Sequence, residues 1–255
     1  MELLAGTSGY AYAEWKGSFY PEALAAREML AFYAGRLPAV EINNTFYRLP
    51  KASVLEGWAA QVPDDFRFAI KASRRITHFG RLKGIEDETA FLLQSCAALG
   101  DKLGALLFQL PPNLPLDVAR LERFLALLPV GTPAAFELRH PGWRVPEVQT
   151  LLAARGCTLV ASESDEDEAP PELMAGASWG YLRLRRTSYD RAALASWAQR
   201  IAAQSWQRAL VFFKHEDAGA GPALAAQFLE LSGRAQDRKP AAPRTPLRER
   251  ARKKG

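Results

Sequence analysis

Eight short apolar runs, each followed by a helical pattern or a turn cluster, recur along this chain at intervals of roughly 20 to 40 residues. They are Leu3–Ser8, Ala39–Asn43, Phe66–Lys71, Gly104–Leu110, Ala134–Arg139, Cys157–Ser162, Trp179–Arg185 and Arg208–His215. Between them, Leu121, Phe124, Leu125 and Leu128 share one helical face, and Leu194, Trp197, Ala198 and Ile201 share another behind a Ser188/Asp190 start signal. Gly100 and Gly156 stand where helix ends require a positive φ. Only the segment 163–176, with its acidic run and Pro170-Pro171, carries no clear helical pattern. Regular β-α alternation demands a parallel sheet with helical crossovers. Eight such units in 255 residues favour closure into a barrel over an open sheet. Gly6-Thr7-Ser8-Gly9-Tyr10 after the first run also lacks the GxGxxG of a dinucleotide-binding sheet. The predicted fold is therefore α/β, a single (β/α)8 TIM-type barrel over residues 1–233.

Residues 234–255 are of a different kind. Nine Lys/Arg there face only Asp237 and Glu249, a local net of +7, so with +5 for the whole chain the barrel itself carries −2. With Pro240, Pro243 and Pro246 and few apolar residues, this basic tail is predicted to be disordered. Such a tail can hold nucleic acid weakly, in a salt-dependent way; a solvated extension is the simpler reading. No run approaches the ~18 apolar residues of a membrane span. Met1-Glu2-Leu3-Leu4 lacks the basic start and long apolar run of a secretory signal. Cys96 and Cys157 are far apart and in no metal or CxxC spacing, so they read as core residues of a reducing compartment. The expectation is a cytoplasmic protein without membrane contact; no sequence feature sets an oligomeric state.

Side chains alternate across a strand, so residues two apart share a face. Val40 and Ile42 oppose Glu41 and Asn43; Phe68 and Ile70 oppose Ala69 and Lys71; Phe108 and Leu110 oppose Leu107 and Gln109. Phe136 and Leu138 oppose Glu137 and Arg139, and Leu182 and Leu184 oppose Tyr181, Arg183 and Arg185. The apolar sets must meet the surrounding helices, which turns the polar sets inward, near the C-terminal strand ends where barrel enzymes build their sites. Glu41 and Glu137 then face Lys71, Arg139, Arg183 and Arg185, a formal surplus of two positive charges. Surplus guanidinium groups suit a bound phosphate or carboxylate. The bland alternative is a closed ion network completed by rim acids such as Glu163, Glu216 or Asp217.

At this level of detail the chain resembles the YecE-like barrels, domain-of-unknown-function family 72. The resemblance rests on Gly6-Thr7-Ser8-Gly9-Tyr10 with Trp15 and Phe19-Tyr20-Pro21, on Val40-Glu41-Ile42-Asn43-Asn44-Thr45-Phe46-Tyr47, on Phe66-Arg67-Phe68-Ala69-Ile70-Lys71 and on Ile76-Thr77-His78. It continues through Leu107-Phe108-Gln109-Leu110-Pro111-Pro112, Phe136-Glu137-Leu138-Arg139-His140-Pro141 with Trp143, and Tyr181-Leu182-Arg183-Leu184, covering about Gly6 to Leu231 in order. The family implies a TIM-type barrel and no established activity. Arg185-Arg186 departs from the His-Gly of many relatives, and Phe213-Lys214-His215-Glu216-Asp217 from their Phe-Asn-Asn.

Among candidate chemistries, Glu41 and Glu137 beside cations should have depressed pKa values, which suits a base better than the protonated acid of a glycosidase. Glu41, Glu137, Glu163, His140 and His215 could in principle ligate a divalent metal, but HExxH and any tight His/Asp cluster are absent, so no cofactor is predicted. Ser8 and the cysteines lack a GxSxG or an adjoining His. Tyr10, Tyr12, Trp15, Phe46, Tyr47 and Trp143 could stack a base or sugar, or seal the barrel top. The expected function is an enzyme acting on a small anionic, phosphate- or carboxylate-bearing substrate. In it Lys71, Arg139 and Arg183 hold the anion, Glu137 is the base, and Glu41 and Asn43 orient the substrate. Gln109, His215, Tyr10, Trp15 and Tyr47 complete the site. Nucleic-acid binding through the tail and rim aromatics, and metal-assisted phosphoester hydrolysis, are the alternatives.

Overall fold

In the computed structural model, eight parallel strands close on themselves in sequence order. They are β1 (Glu2–Ser8), β2 (Ala39–Ile42), β3 (Arg67–Lys71), β4 (Leu103–Leu110), β5 (Ala134–Leu138), β6 (Thr158–Glu163), β7 (Trp179–Leu184) and β8 (Arg208–Phe213). The structure describes residues 1–214 and 219–233, so the expected tail and His215 lie outside the described residues. Around the strands run α1 (Met29–Ala34), α2 (Ala52–Ala59), α3 (Glu86–Cys96), α4 (Val118–Ala126), α5 (Pro146–Ala154), α6 (Arg191–Ala202) and α7 (Ala220–Leu231). Each expected strand is present, with ends moved by one or two residues. No helix among the described residues is long and apolar enough to cross a membrane.

Local chemistry explains the helix positions. Asp117 caps α4 by accepting from the Arg120 amide at 2.9 Å, and Asp190 caps α6 by accepting from the Ala193 amide at 2.7 Å. Each cap satisfies an otherwise unpaired donor and contributes about 1 kcal/mol. Gly100 and Gly156 have φ of 53° and 67°, as their positions require. Between β6 and β7 no helix forms, because Pro170 and Pro171 remove amide donors from the segment. That loop is instead tied down by side chains. Asp165 accepts from the Thr187 amide at 2.9 Å, and the Pro171 carbonyl accepts from the Arg200 guanidinium at 2.6 Å.

The strand faces sort as the alternation demands. Val40, Ile42, Phe68, Phe108, Phe136 and Leu182 pack outward against the helices in one large apolar cluster. Leu4, Ala69, Ala105, Leu107, Leu210 and Phe212 fill the lower barrel interior in another. The polar inward residues sit above this apolar plug. Two arginines stand further out than expected: β5 ends at Leu138 and β7 at Leu184, so Arg139 and Arg185 are the first residues beyond their strands and reach the cavity from its rim.

The junction of β1 and β2 depends on one missing side chain. The Tyr33 hydroxyl of α1 donates to the Ala39 carbonyl at 2.9 Å and accepts from the Thr7 amide at 2.8 Å. A methyl group on Gly6 would land on the Ala39 carbonyl and 2.8 Å from that same hydroxyl. Gly6→Ala is therefore expected to lower stability by about 3 kcal/mol, the upper end of overpacking penalties, in urea unfolding. An unchanged midpoint would mean that β2 and Tyr33 move aside freely.

Candidate functional site

Register places the polar layer. Ser8 lies beside Glu41 across the β1–β2 pair, Gln109 beside Glu137 across β4–β5, and Ser162 beside Arg183 across β6–β7. From β7 the Arg183 guanidinium spans the barrel. Its Nη2 donates to Glu41 Oε1 at 2.9 Å and its Nη1 to Glu137 Oε2 at 2.6 Å, with the Arg183 side chain 4% exposed. Each of the four carboxylate oxygens accepts at least one hydrogen bond from a group other than Arg183. Glu41 Oε1 also accepts from Ser8 Oγ (2.8 Å) and Asn43 Nδ2 (2.9 Å), and its Oε2 accepts from the Tyr181 hydroxyl (2.7 Å). Glu137 Oε2 also accepts from Gln109 Nε2 (2.8 Å), and its Oε1 accepts from Arg139 Nε (2.9 Å).

The electrostatics follow. Burial alone would raise both carboxyl pKa values, but Arg183 and the hydrogen bonds reverse this. Glu41 falls below the ordinary carboxylate range and Glu137 falls to about 2. Burial likewise opposes the charge on Arg183, and the two carboxylates more than restore it. Tyr181, buried beside Glu41, has its pKa pushed up and keeps its donor proton.

Above this saturated layer opens a cavity of about 430 Å³, lined by Ser8, Asn43, Phe46, Tyr47, Lys71, His78, Gln109, Arg139, Arg183, Arg185 and Lys214. The Lys71 ammonium lies 4.4 Å from the Phe46 ring centre. Among the described residues, neither it nor the Arg185 guanidinium has a hydrogen-bond or salt-bridge partner. Burial and the nearby Arg183 lower the Lys71 pKa to about 8 against the pull of Glu41 and Glu137. His78 stands edge-on to Phe46 at 4.9 Å between ring centres and shares a 2.9 Å hydrogen bond between its Nδ1 and Thr77 Oγ1. Burial, Lys71 and Arg139 lower its pKa, so its imidazole is neutral at neutral pH.

Several expected site residues are placed differently. Trp15 is buried among Tyr12, Phe19 and Tyr20 and does not line the cavity; Tyr10 packs near Tyr33 and does not line it either. Both belong to an aromatic cluster that holds the β1–α1 connection. Tyr47 lines the cavity. Glu163 points away from the barrel interior, pairing with Arg186 at 3.1 Å and accepting from Trp197 Nε1 at 3.0 Å. His140 accepts from the Gly142 amide at 3.1 Å and caps a short turn. The metal set proposed from sequence is thus dispersed: Glu163 and His140 lie apart from Glu41 and Glu137, and His215 is outside the described residues. Among those residues, no group of three or more His, Cys, Asp or Glu could hold a metal. Arg185, expected to face inward, and Phe46, one of the candidate stacking aromatics, line the cavity, as do Ser8 and His78.

A sequence profile of the family described as "Protein of unknown function DUF72" matches residues 4–248. The chain belongs to the DUF72 family. Among curated proteins, this DUF72 chain is similar to UPF0759 protein YecE of Escherichia coli K12, 35% identical over 138 residues, which are 52% of this chain and 51% of that protein. It is also similar to UPF0759 protein YunF of Bacillus subtilis 168, 30% identical over 162 residues, 59% of this chain and 57% of that one. The matched stretch thus spans little more than half the length of these relatives. Two crystal structures share the fold: a DUF72 protein of Thermotoga maritima (TM-score 0.78, 23% identity, covering 91% of this chain and 99% of that one) and one of Enterococcus faecalis (TM-score 0.76, 19% identity, 91% and 95%).

The buried triad of this DUF72 barrel has a pH signature. A carboxyl whose folded pKa is about 2, against an ordinary value of 4.5, adds stability above pH 4.5 and loses it as pH falls toward 2. Glu137→Gln should therefore be less stable than the wild type by about 3 kcal/mol at pH 7, with the gap closing between pH 4.5 and 2 in urea titrations. Arg183→Ala, which strands two carboxylates, should cost about 3–5 kcal/mol at neutral pH. A pH-independent gap for Glu137→Gln would contradict the assignment.

Proposed function

We propose that this barrel is an enzyme that binds a small phosphate- or carboxylate-bearing molecule in the cavity above the Arg183 layer. The observation that carries this reading is an imbalance of partners. Among the described residues, Lys71, Arg139, Arg183 and Arg185 surround Glu41 and Glu137, a surplus of two positive charges, and these two acids are spent on Arg183, Arg139 and neutral donors. A half-buried cation without a counter-ion is costly, and a bound oxyanion relieves that cost.

The roles differ from those expected from sequence alone. Arg183 is too deeply committed to grip a ligand, so the anion rests on Arg185 and on the outer edge of Arg139, whose side chain is 37% exposed. Glu137, with a pKa of about 2 and three donors on its oxygens, is a positioning residue and a poor base. Asn43 and Gln109 border the cavity and orient the ligand. Lys71, whose pKa falls to about 8, can exchange a proton near neutrality, and the neutral His78 imidazole lines the same cavity.

Inorganic phosphate or a sugar phosphate at a hundredfold excess over its dissociation constant should raise the melting temperature by about 5–10 °C. Arg185→Ala should reduce this shift at least severalfold while leaving the unliganded melting temperature nearly unchanged. Equal shifts in both proteins would remove Arg185 from the site; no shift with any phosphorylated or carboxylated compound would overturn the reading.

A further inference from the structure

Lys71 is the last residue of β3, aimed into the cavity, and its amine is held back from the acids it faces. Ser8, Asn43, Tyr181 and Arg183 occupy Glu41, while Gln109, Arg139 and Arg183 occupy Glu137. A lysine whose task was structural would compete for one of those oxygens. Instead its nitrogen lies against the face of Phe46, in the cavity that Arg139 and Arg185 also line.

From this placement we infer that Lys71 forms a Schiff base with the carbonyl group of a small anionic aldehyde or ketone. The inference rests on the anion-binding reading above, with the phosphate or carboxylate held at Arg185 and Arg139 and the carbonyl carbon brought to Nζ. The neutral amine's lone pair forms the C–N bond, and the carbonyl π electrons move to oxygen. One proton passes from nitrogen to that oxygen, giving a carbinolamine. Protonation of the hydroxyl and departure of water then leave the iminium, so that amine, carbonyl compound and one proton yield iminium and water. His78 on the same wall, neutral at neutral pH, is placed to carry the proton between nitrogen and oxygen. The lowered basicity of Lys71 suits the first step, because a protonated amine cannot attack.

The test is reductive trapping on the full chain at pH 7.5, with glyceraldehyde 3-phosphate and pyruvate as probes, sodium cyanoborohydride as hydride donor, and peptide mass spectrometry as readout. The expected result is one reduced adduct per chain, on Lys71, formed roughly tenfold or more faster than on exposed lysines because far more of this amine is neutral. Excess inorganic phosphate should suppress it. Lys71→Arg should lose the adduct and keep the phosphate-induced thermal shift, which separates the covalent step from anion binding. Adducts spread over surface lysines with no preference for Lys71, from both probes, overturn the Schiff base even where phosphate still stabilises the protein. Loss of both the adduct and the phosphate shift in the wild type overturns this inference together with the function on which it rests.

Discussion

One guanidinium group organises the upper half of this barrel. Arg183 reaches from β7 to carboxylates on β2 and β5, strands that do not touch one another, and so works as a cross-brace where the barrel is widest in polar content. Below it the interior is filled by Leu, Ala and aromatic side chains that any TIM barrel can supply. At its own level the strands are bridged by charge, through Arg183 and the two carboxylates. A buried ion pair earns little net stability against a hydrophobic replacement, but removing one partner is severe because the others stay buried and charged. The brace is therefore best understood as a device that sets geometry, with the fold's stability coming mainly from the two apolar layers.

The brace also divides the site chemically. Its carboxylates accept so many hydrogen bonds that they are fixed in charge and position, which makes them a rigid floor. Among the described residues, other groups lining the cavity keep spare capacity: an amine over a ring, a guanidinium without a hydrogen-bond partner and an imidazole bonded only through its Nδ1. Two polar atoms within the floor, Asn43 Oδ1 and Arg183 Nε, are buried with no hydrogen-bond partner among the described residues, so the floor is not fully saturated. Under the proposed function, reactive capacity falls on the β3 side and ligand-holding capacity on the β5 and β7 side.

Much of this was legible in the chain because β-strand parity is a hard constraint. Alternation separates Glu41 from Ile42 and Arg183 from Leu182 before any coordinates are known, and a barrel offers only inside and outside. Parity names the face but not the partner. It could not show that Arg183 would be consumed by both acids, which is why the proposed function puts the ligand on Arg185. Glu163 illustrates a different failure: its odd position on β6 places it outward, yet an acid at a strand end looks identical in sequence whether it meets substrate or the indole of Trp197. Trp15 fails for a third reason. Loop aromatics carry no periodicity, and only the packing of Phe19 and Tyr20 against it shows that this loop folds back into the core.

Floor and wall also titrate in separate ranges, which matters for what the cavity can do. Glu137 keeps its charge down to about pH 2, while Lys71 loses its proton near pH 8. Between those limits the brace is invariant, so pH acts on the wall alone. As pH rises through the upper limit, the cavity gives up one positive charge and gains one nucleophilic lone pair. Guanidinium groups stay protonated through this range and continue to attract an oxyanion. With the anion on arginine and the reactive nitrogen on lysine, as proposed, the two requirements coexist at a single pH. An anion gripped by Lys71 itself would suppress the neutral amine that the proposed chemistry needs.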